Sequence, residues 1–136
     1  VTFKQVNFAQ KRWIAGEAKA LNAHPFKLKF DLEQPRGTFW FQEGKSSRDF
    51  LFTKLRLRGQ KQKAKLDKVG VVGLGEHQWL RLTNATLDQE KLDLVSNDEA
   101  WVISPNTWLR APKGVTAQLN AGEVEANGPV RFEAFP

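Results

Sequence analysis

The chain contains no cysteine, no methionine and no tyrosine, and it has only two histidines. Without cysteine there are no disulfides and no thiolate metal sites. His24 and His77 lie far apart and show no metal-ligand spacing. No serine sits in a nucleophile elbow. The stretch "VGVVGLG" lacks both the Lys-Ser/Thr and the following helix of a phosphate loop or dinucleotide fingerprint. Asp98-Glu99 reads as a turn rather than a catalytic pair, and "NAT" at Asn84 is a glycosylation sequon by letters only. The expectation is a protein that is not an enzyme and needs no cofactor or metal. No run of about 18 apolar residues is present, so no helix here spans a bilayer. A chain without methionine that starts at Val1 also suggests a removed initiator and, with it, a targeting or anchor segment.

Hydrophobic residues make up 40% and charged residues 26%, which indicates a globular chain rather than a disordered one. Its 136 residues suit a single domain spanning 1–136 with a core that needs no staples. The net charge of +6 favours an anionic partner: nucleic acid, an acidic lipid surface or a phosphorylated glycolipid. Ordinary solubility explains it equally well.

Alternation with period two dominates the pattern. "FKLKFDL" sets Phe26, Leu28, Phe30 and Leu32 against Lys27, Lys29 and Asp31. "GTFWFQEG" sets Phe39 and Phe41 against Trp40, and "KLRLRG" sets Leu55 and Leu57 against Lys54, Arg56 and Arg58. "QWLRL" sets Leu80 and Leu82 against Trp79 and Arg81, and "GVTAQLNAG" sets Val115, Ala117 and Leu119 against Thr116 and Gln118. Turn signals separate these runs, among them Glu43-Gly44, Gly73-Leu74-Gly75 and Pro105-Asn106. Short strands at this spacing predict an antiparallel all-β fold. "AQKRWIAGEAKAL" and "TLDQEKLDLVS" contain good helix formers, yet Gly16 interrupts the first and Leu92 and Leu94 alternate in the second, so both read as strand.

A short motif recurs as "AKLD" at Ala64, "ATLD" at Ala85 and "AQLN" at Ala117. It predicts a repeated hairpin in which Ala and Leu face inward and Asp67, Asp88 or Asn120 starts the turn. The return strand would then place Val71, Leu92 or Val124 on the inner face. The chain closes on "AGEVEANGPVRFEAF", which reads as strand, Asn127-Gly128 turn and a final strand from Val130 to Phe135 pairing with residues around Val124.

These repeated hairpins and the ending "NGPVRF" resemble the OstA-like repeats of bacterial lipopolysaccharide transport proteins, the LptA and LptC family. "RWIAGEAKAL", "LKFDLEQPRGTFWF", "LRLRGQKQKAKLDKVGVVG" and "LRLTNATLDQEKLDLVSNDEAWVI" are similar to successive segments of LptC, and the closing hairpin follows in "LRAPKGVTAQLNAGEVEANGPVRF". The resemblance covers most of the chain and rests on pattern rather than on an invariant motif. The chain is a little short for the family's periplasmic domain. The resemblance implies a curved, partly open β-jellyroll built of successive hairpins, with a greasy inner groove. It implies a periplasmic protein, tethered to the inner membrane by a missing N-terminal anchor, that takes lipopolysaccharide from a transporter and passes it to a bridge protein. Neighbours would join by edge-strand pairing at Val130, Arg131, Phe132, Glu133, Ala134 and Phe135.

The inward apolar set expected to meet lipid is Leu28, Phe30, Phe39, Phe41, Leu55, Leu57, Leu66, Leu80, Leu82, Leu92, Leu94, Val102, Leu119, Val124 and Phe132. Periodicity does not separate such a groove from a sealed sandwich core. The basic run Lys54, Arg56, Arg58, Lys61, Lys63 and Lys65, with Lys68 beyond and Asp67 the one acid among them, is either a solvated face or a contact for lipid phosphates. A runner-up reading is an OB-like module binding single-stranded nucleic acid through basic residues and the tryptophans Trp13, Trp40, Trp79, Trp101 and Trp108. No specific nucleic-acid signature supports it.

Overall fold

The computed structural model describes residues 1–8, 11–24, 29–58, 63–75, 77–88 and 91–134. Strands follow one another throughout: β1 (Thr2–Asn7), β2 (Arg12–Glu17), β3 (Ala20–His24), β4 (Lys29–Glu33), β5 (Arg36–Phe41), β6 (Ser46–Arg58), β7 (Lys63–Gly75), β8 (Gln78–Asp88), β9 (Asp93–Ser96), β10 (Ala100–Ser104), β11 (Thr107–Ala111), β12 (Val115–Gln118), β13 (Glu123–Ala126) and β14 (Arg131–Ala134). Every pairing is antiparallel, and no helix occurs among the described residues. The all-β expectation holds; in the two stretches rich in helix formers the described residues form β2 and the start of β3 in the first, and the end of β8, a turn at Lys91–Leu92 and β9 in the second.

All of these strands belong to one 14-stranded sheet that folds over on itself. Three long strands make the fold. The first part of β6 pairs with β5 and its second part with β4. Likewise β8 begins against β10 and ends against β9. The first layer runs β1-β2-β5-β6-β7-β8-β10-β11-β14, and the second runs β3-β4-β6-β7-β8-β9-β12-β13.

The bend is marked by irregular register between Phe52 and Lys54 on β6 and between Leu66 and Val69 on β7. On β8 it falls at Asn84, which has φ 50°, a conformation Asn tolerates better than most residues. An extra residue in a strand bends it and reverses the alternation. Hence Phe50 and Phe52 face inward before the bend on β6 and Leu55 after it. On β8 the buried set changes phase in the same way, from Leu80 and Leu82 to Ala85 and Leu87.

The inner faces are read most directly along rows of paired residues. In the first layer one row joins all nine strands: Phe3, Gly16, Gly37, Phe50, Val72, Leu80, Val102, Leu109, Phe132. In the second, one row runs Ala23, Phe30, Leu57, Ala64, Leu87, Leu94, Ala117, Val124. The neighbouring row is Leu21, Leu32, Leu55, Leu66, Ala85, Ser96, Val115, Ala126. Its single polar member, Ser96, is buried and donates its hydroxyl to the Thr83 carbonyl at 2.6 Å. Both layers contribute to one continuous core.

Gly16 and Gly37 sit opposite each other where β2 and β5 come unusually close. A Cβ on Gly16 would lie 2.1 Å from the Arg36 carbonyl oxygen, and one on Gly37 2.2 Å from that of Ala15. The rings of Phe3 and Phe50, with centroids 6.5 Å apart, flank this bare pair in the row.

Three sequence expectations need correction. Asn127-Gly128 is not a hairpin turn: β14 leaves β13 and pairs with β11, from Thr107↔Ala134 to Arg110↔Arg131. The cause is local. The Asn127 N–H donates to the Gly114 carbonyl at 3.0 Å, its Nδ2 donates to the Ser96 carbonyl at 3.2 Å, and Thr116 donates to its Oδ1 at 3.3 Å. These bonds hold the chain at the corner, and it then crosses to the other layer, with Val130 in the crossing rather than in the strand. The repeat holds at two of its three copies. Asp88 and Asn120 stand at turns, and the Asp88 carboxylate accepts the Lys91 N–H at 3.2 Å. Asp67 instead lies within β7, paired with Arg56, and the strand continues, so Val71 falls on the row opposite to the inner one. For the same reason Gly73-Leu74-Gly75 is strand rather than turn.

Gly37→Ala should destabilise the protein by about 2 kcal/mol or more, because the new methyl meets backbone rather than a movable side chain. Gly73→Ala, whose Cβ meets nothing closer than 3.6 Å, serves as control and should cost much less in urea unfolding.

Candidate functional site

The space between the layers is packed in the middle and opens towards its ends. Leu80 and Leu94 are buried almost completely. Along the first-layer row, Leu80 is 0% exposed, Val102 and Leu109 are half-buried, and Phe132 is 66% exposed. In the second layer Ala117 is buried while Val124 and Ala126 are half-buried. At the opposite end, Phe3 and Phe30 are half-buried and Leu21 is exposed. The apolar interior therefore reaches solvent along the β13–β14 side and along the β1–β3 side.

Most of the expected inner residues take their places. Phe39, Phe41, Leu55, Leu66, Leu80, Leu82, Leu92, Leu94 and Leu119 are buried, and Phe30, Val102 and Val124 are half-buried. Leu92 and Leu119 get there differently from the expectation. Both lie in hairpin turns rather than on strands, and the Leu119 N–H donates to the Leu92 carbonyl at 3.0 Å. Phe132 belongs to the inner row, but it is exposed rather than buried, on a strand that pairs with β11 alone among the described residues. Leu28, Lys61 and Phe135 fall outside the described residues, as do the side chains of Leu57, Arg58, Lys63, Lys68, Glu133 and Ala134. The periodicity reading missed Phe50, Phe52, Val72 and Leu74, all buried, while Leu87, also buried, was expected inward from the repeated motif.

Arg48 enters the interior. Arg48 lies between Phe39 on β5 and the hairpin of the other layer. Its Nε donates to the Leu119 carbonyl at 3.1 Å, and its guanidinium lies 5.4 Å from the centre of the Phe41 ring. It closes the hairpin end of the core between the two layers.

The basic run is partly neutralised by the fold. Arg56 pairs with Asp67 and stands in register with Asp31. Lys54 stands in register with both Glu33 and Asp67. Lys65 is exposed. This matches a solvated outer face better than a dedicated phosphate site. The nucleic-acid alternative needs basic and aromatic residues together, yet Lys54, Arg56 and Lys65 lie on the outside of the second layer and the tryptophans on the outside of the first.

Among the described residues, β1 and β14 are the edge strands of the first layer and β3 and β13 those of the second. The far side of β14 thus has no partner strand among the described residues, as expected from the sequence, although its inner neighbour is β11 rather than β13.

Beside the β8–β11 region, Glu99 accepts hydrogen bonds from Arg110 at 2.9 Å and from the Trp101 indole at 2.9 Å. The Arg110 hydrogen bond is the main reason its carboxyl is held below the ordinary 4.5. A lowered carboxylate stabilises the fold fully above the unfolded-state value, and that contribution disappears as the pH falls through the lowered one. An NMR titration should show Glu99 titrating below the ordinary glutamate value, and Arg110→Gln should raise it.

No family model and no curated protein matches this sequence. Among solved structures, the crystal structure of LptH is similar to this chain. LptH is described as the LptA-homologous periplasmic component of the conserved lipopolysaccharide transport device from Pseudomonas aeruginosa. The TM-score is 0.62 at 10% identity, and the match covers 90% of this chain and 95% of that one. At this identity the likeness is one of fold, and it places the chain's architecture with the curved, antiparallel β-jellyroll of that structure.

Proposed function

We propose that this chain is a non-catalytic, periplasmic carrier that binds the acyl part of lipopolysaccharide or a related glycolipid between its layers. It relays that lipid between neighbouring transport proteins. The observation that carries the reading is the rise in exposure along the inner row from Leu80 to Phe132, which presents apolar surface at an open end instead of sealing it. The likeness to LptH supports it through the fold. An N-terminal tether to the inner membrane, and receipt of lipid directly from a transporter, form the LptC-like version of this proposal.

The neighbours are proposed to dock on the free edges. The unpaired side of β14 presents main-chain N–H and C=O groups that must be solvated or bonded by another strand. A neighbour of the same fold, offering its own edge strand, would continue the first layer by β-augmentation.

A photo-crosslinking residue at Leu109 or Val124 should capture lipopolysaccharide, and one at Thr116 or Gln118 should not. Equal capture from both sets would rule out binding between the layers. Deleting residues 129 to 136 should abolish pull-down of the neighbouring protein and reduce lipid binding only partly, since most inner residues lie upstream. A folded truncation that keeps its neighbour fully would show that β14 is not the junction.

A further inference from the structure

All five tryptophans of the chain lie on one surface, the outside of the first layer. Trp13 and Trp40 are paired across β2 and β5, with rings stacked at 5.9 Å. Trp79, Ile103 and Trp108 form a row across β8, β10 and β11. Trp101 meets Trp108 edge-on at 5.7 Å. Phe39, Phe41, Leu80 and Ala100, the sequence neighbours of Trp40, Trp79 and Trp101, are buried, which fixes the outward direction of those indoles, and Trp13 and Trp108 share their face by register with Trp40 and Ile103. Leu51, Val69, Trp79 and Trp108 are all exposed on this surface.

The second layer shows the contrast. Its corresponding outer row reads Asp31, Arg56, Lys65, Thr86, Val95, Thr116, Glu125, which is polar but for one valine. The first-layer outer row reads Thr2, Glu17, Arg36, Leu51, Val71, Arg81, Trp101, Arg110, Arg131. Within it Arg36 pairs with Glu17, and Arg110 pairs with Glu99. Arg131 makes no ion pair among the described residues, and Arg81 makes no close one there, though its charge also acts on Glu99.

We propose that the outer face of the first layer rests on a phospholipid bilayer that carries anionic headgroups. Trp is the residue that settles at the headgroup level, with its ring in the apolar boundary and its N–H towards water. The indoles here run from β2 to β11, roughly 30 Å at about 4.8 Å per strand. A protein hot spot concentrates its aromatics at one centre. A bilayer surface uses them spread out and interleaved with arginine. Arg81 and Arg131 supply charge for the headgroups, and the molecule's net +6 draws it to an anionic surface. The assignment is independent of lipid binding between the layers, which involves the opposite face of the same strands.

The chain's fluorescence is a direct probe, because every tryptophan sits on the face in question. The protein is mixed with vesicles of phosphatidylglycerol and phosphatidylethanolamine that contain no lipopolysaccharide, and in parallel with vesicles of phosphatidylcholine. Anionic vesicles should shift the emission to the blue, lipids brominated near the headgroup should quench it, and added salt should weaken binding. Trp79→Gln combined with Trp108→Gln should lower the vesicle partition coefficient about tenfold, while Thr116→Ala combined with Lys65→Gln on the other layer changes it by less than about twofold. Unchanged far-ultraviolet circular dichroism confirms that the variants fold. No blue shift or quenching for the wild-type protein overturns the proposal without reference to any variant. So does equal loss in both variants. A third overturning result is a concentration-dependent dimer, abolished by the tryptophan substitutions, together with no binding to vesicles; the face would then join two copies of this chain.

Discussion

The structure depends on a single sheet meeting its own inner face. β6, β7 and β8 are each too long for one layer, and β6 and β8 change phase where they bend, while β7 between them keeps Ala64, Leu66, Val72 and Leu74 inward throughout. Without the phase change, one half of β6 and one half of β8 would point their apolar residues outward. The irregularities at Thr53 and at Asn84 are therefore what allow Phe50 with Leu55, and Leu80 with Ala85, to serve one core. The corner bonds follow from the same geometry. Gln34 donates to the Thr53 carbonyl at 2.9 Å and Phe52 to that of Pro35 at 2.9 Å, so that the turning chain segments satisfy one another.

The class of fold and much of its inner face were legible in the sequence, because alternation is a local signal. Phe39, Phe41, Leu80 and Leu82 could be placed from a few residues each. Phe50 and Phe52 could not. "DFLFT" offers three consecutive apolar residues, and the side taken depends on a bulge that pairs β6 with the distant β7. Asp67 fits the turn motif as well as Asp88 does, yet its side chain is used by Arg56 and the strand continues. Asn127-Gly128 is a favoured hairpin dipeptide in isolation. It becomes a corner because Gly114, Ser96 and Thr116, all distant in sequence, take up its hydrogen bonds. The free edge of β14 was foreseen, but with the wrong neighbouring strand. The collection of every tryptophan on one face was not legible at all. It requires knowing which strands share a layer.

The molecule keeps its surfaces apart. Apolar residues between the layers, charged residues outside the second layer, and aromatic and guanidinium groups outside the first occupy three separate regions. Each strand residue serves one region and its neighbour another, so the rows beginning at Thr2 and at Phe3 run side by side across the first layer with opposite character. Binding on one face therefore need not disturb the other.

Because strands hydrogen-bond only to lateral neighbours, the backbone pairing within each layer is nearly one-dimensional, like a stack. The central members, β6 to β8, are held from both sides and in both layers, whereas β1, β3, β13 and β14 are held from one. Fraying should begin at these termini, and amide exchange should be fastest there. A strand added at either end gains a neighbour for the weakest member and turns a fraying terminus into an interior one. Joining molecules end to end would thus lengthen the cooperative unit, and each junction would be most rigid when both of its sides are occupied.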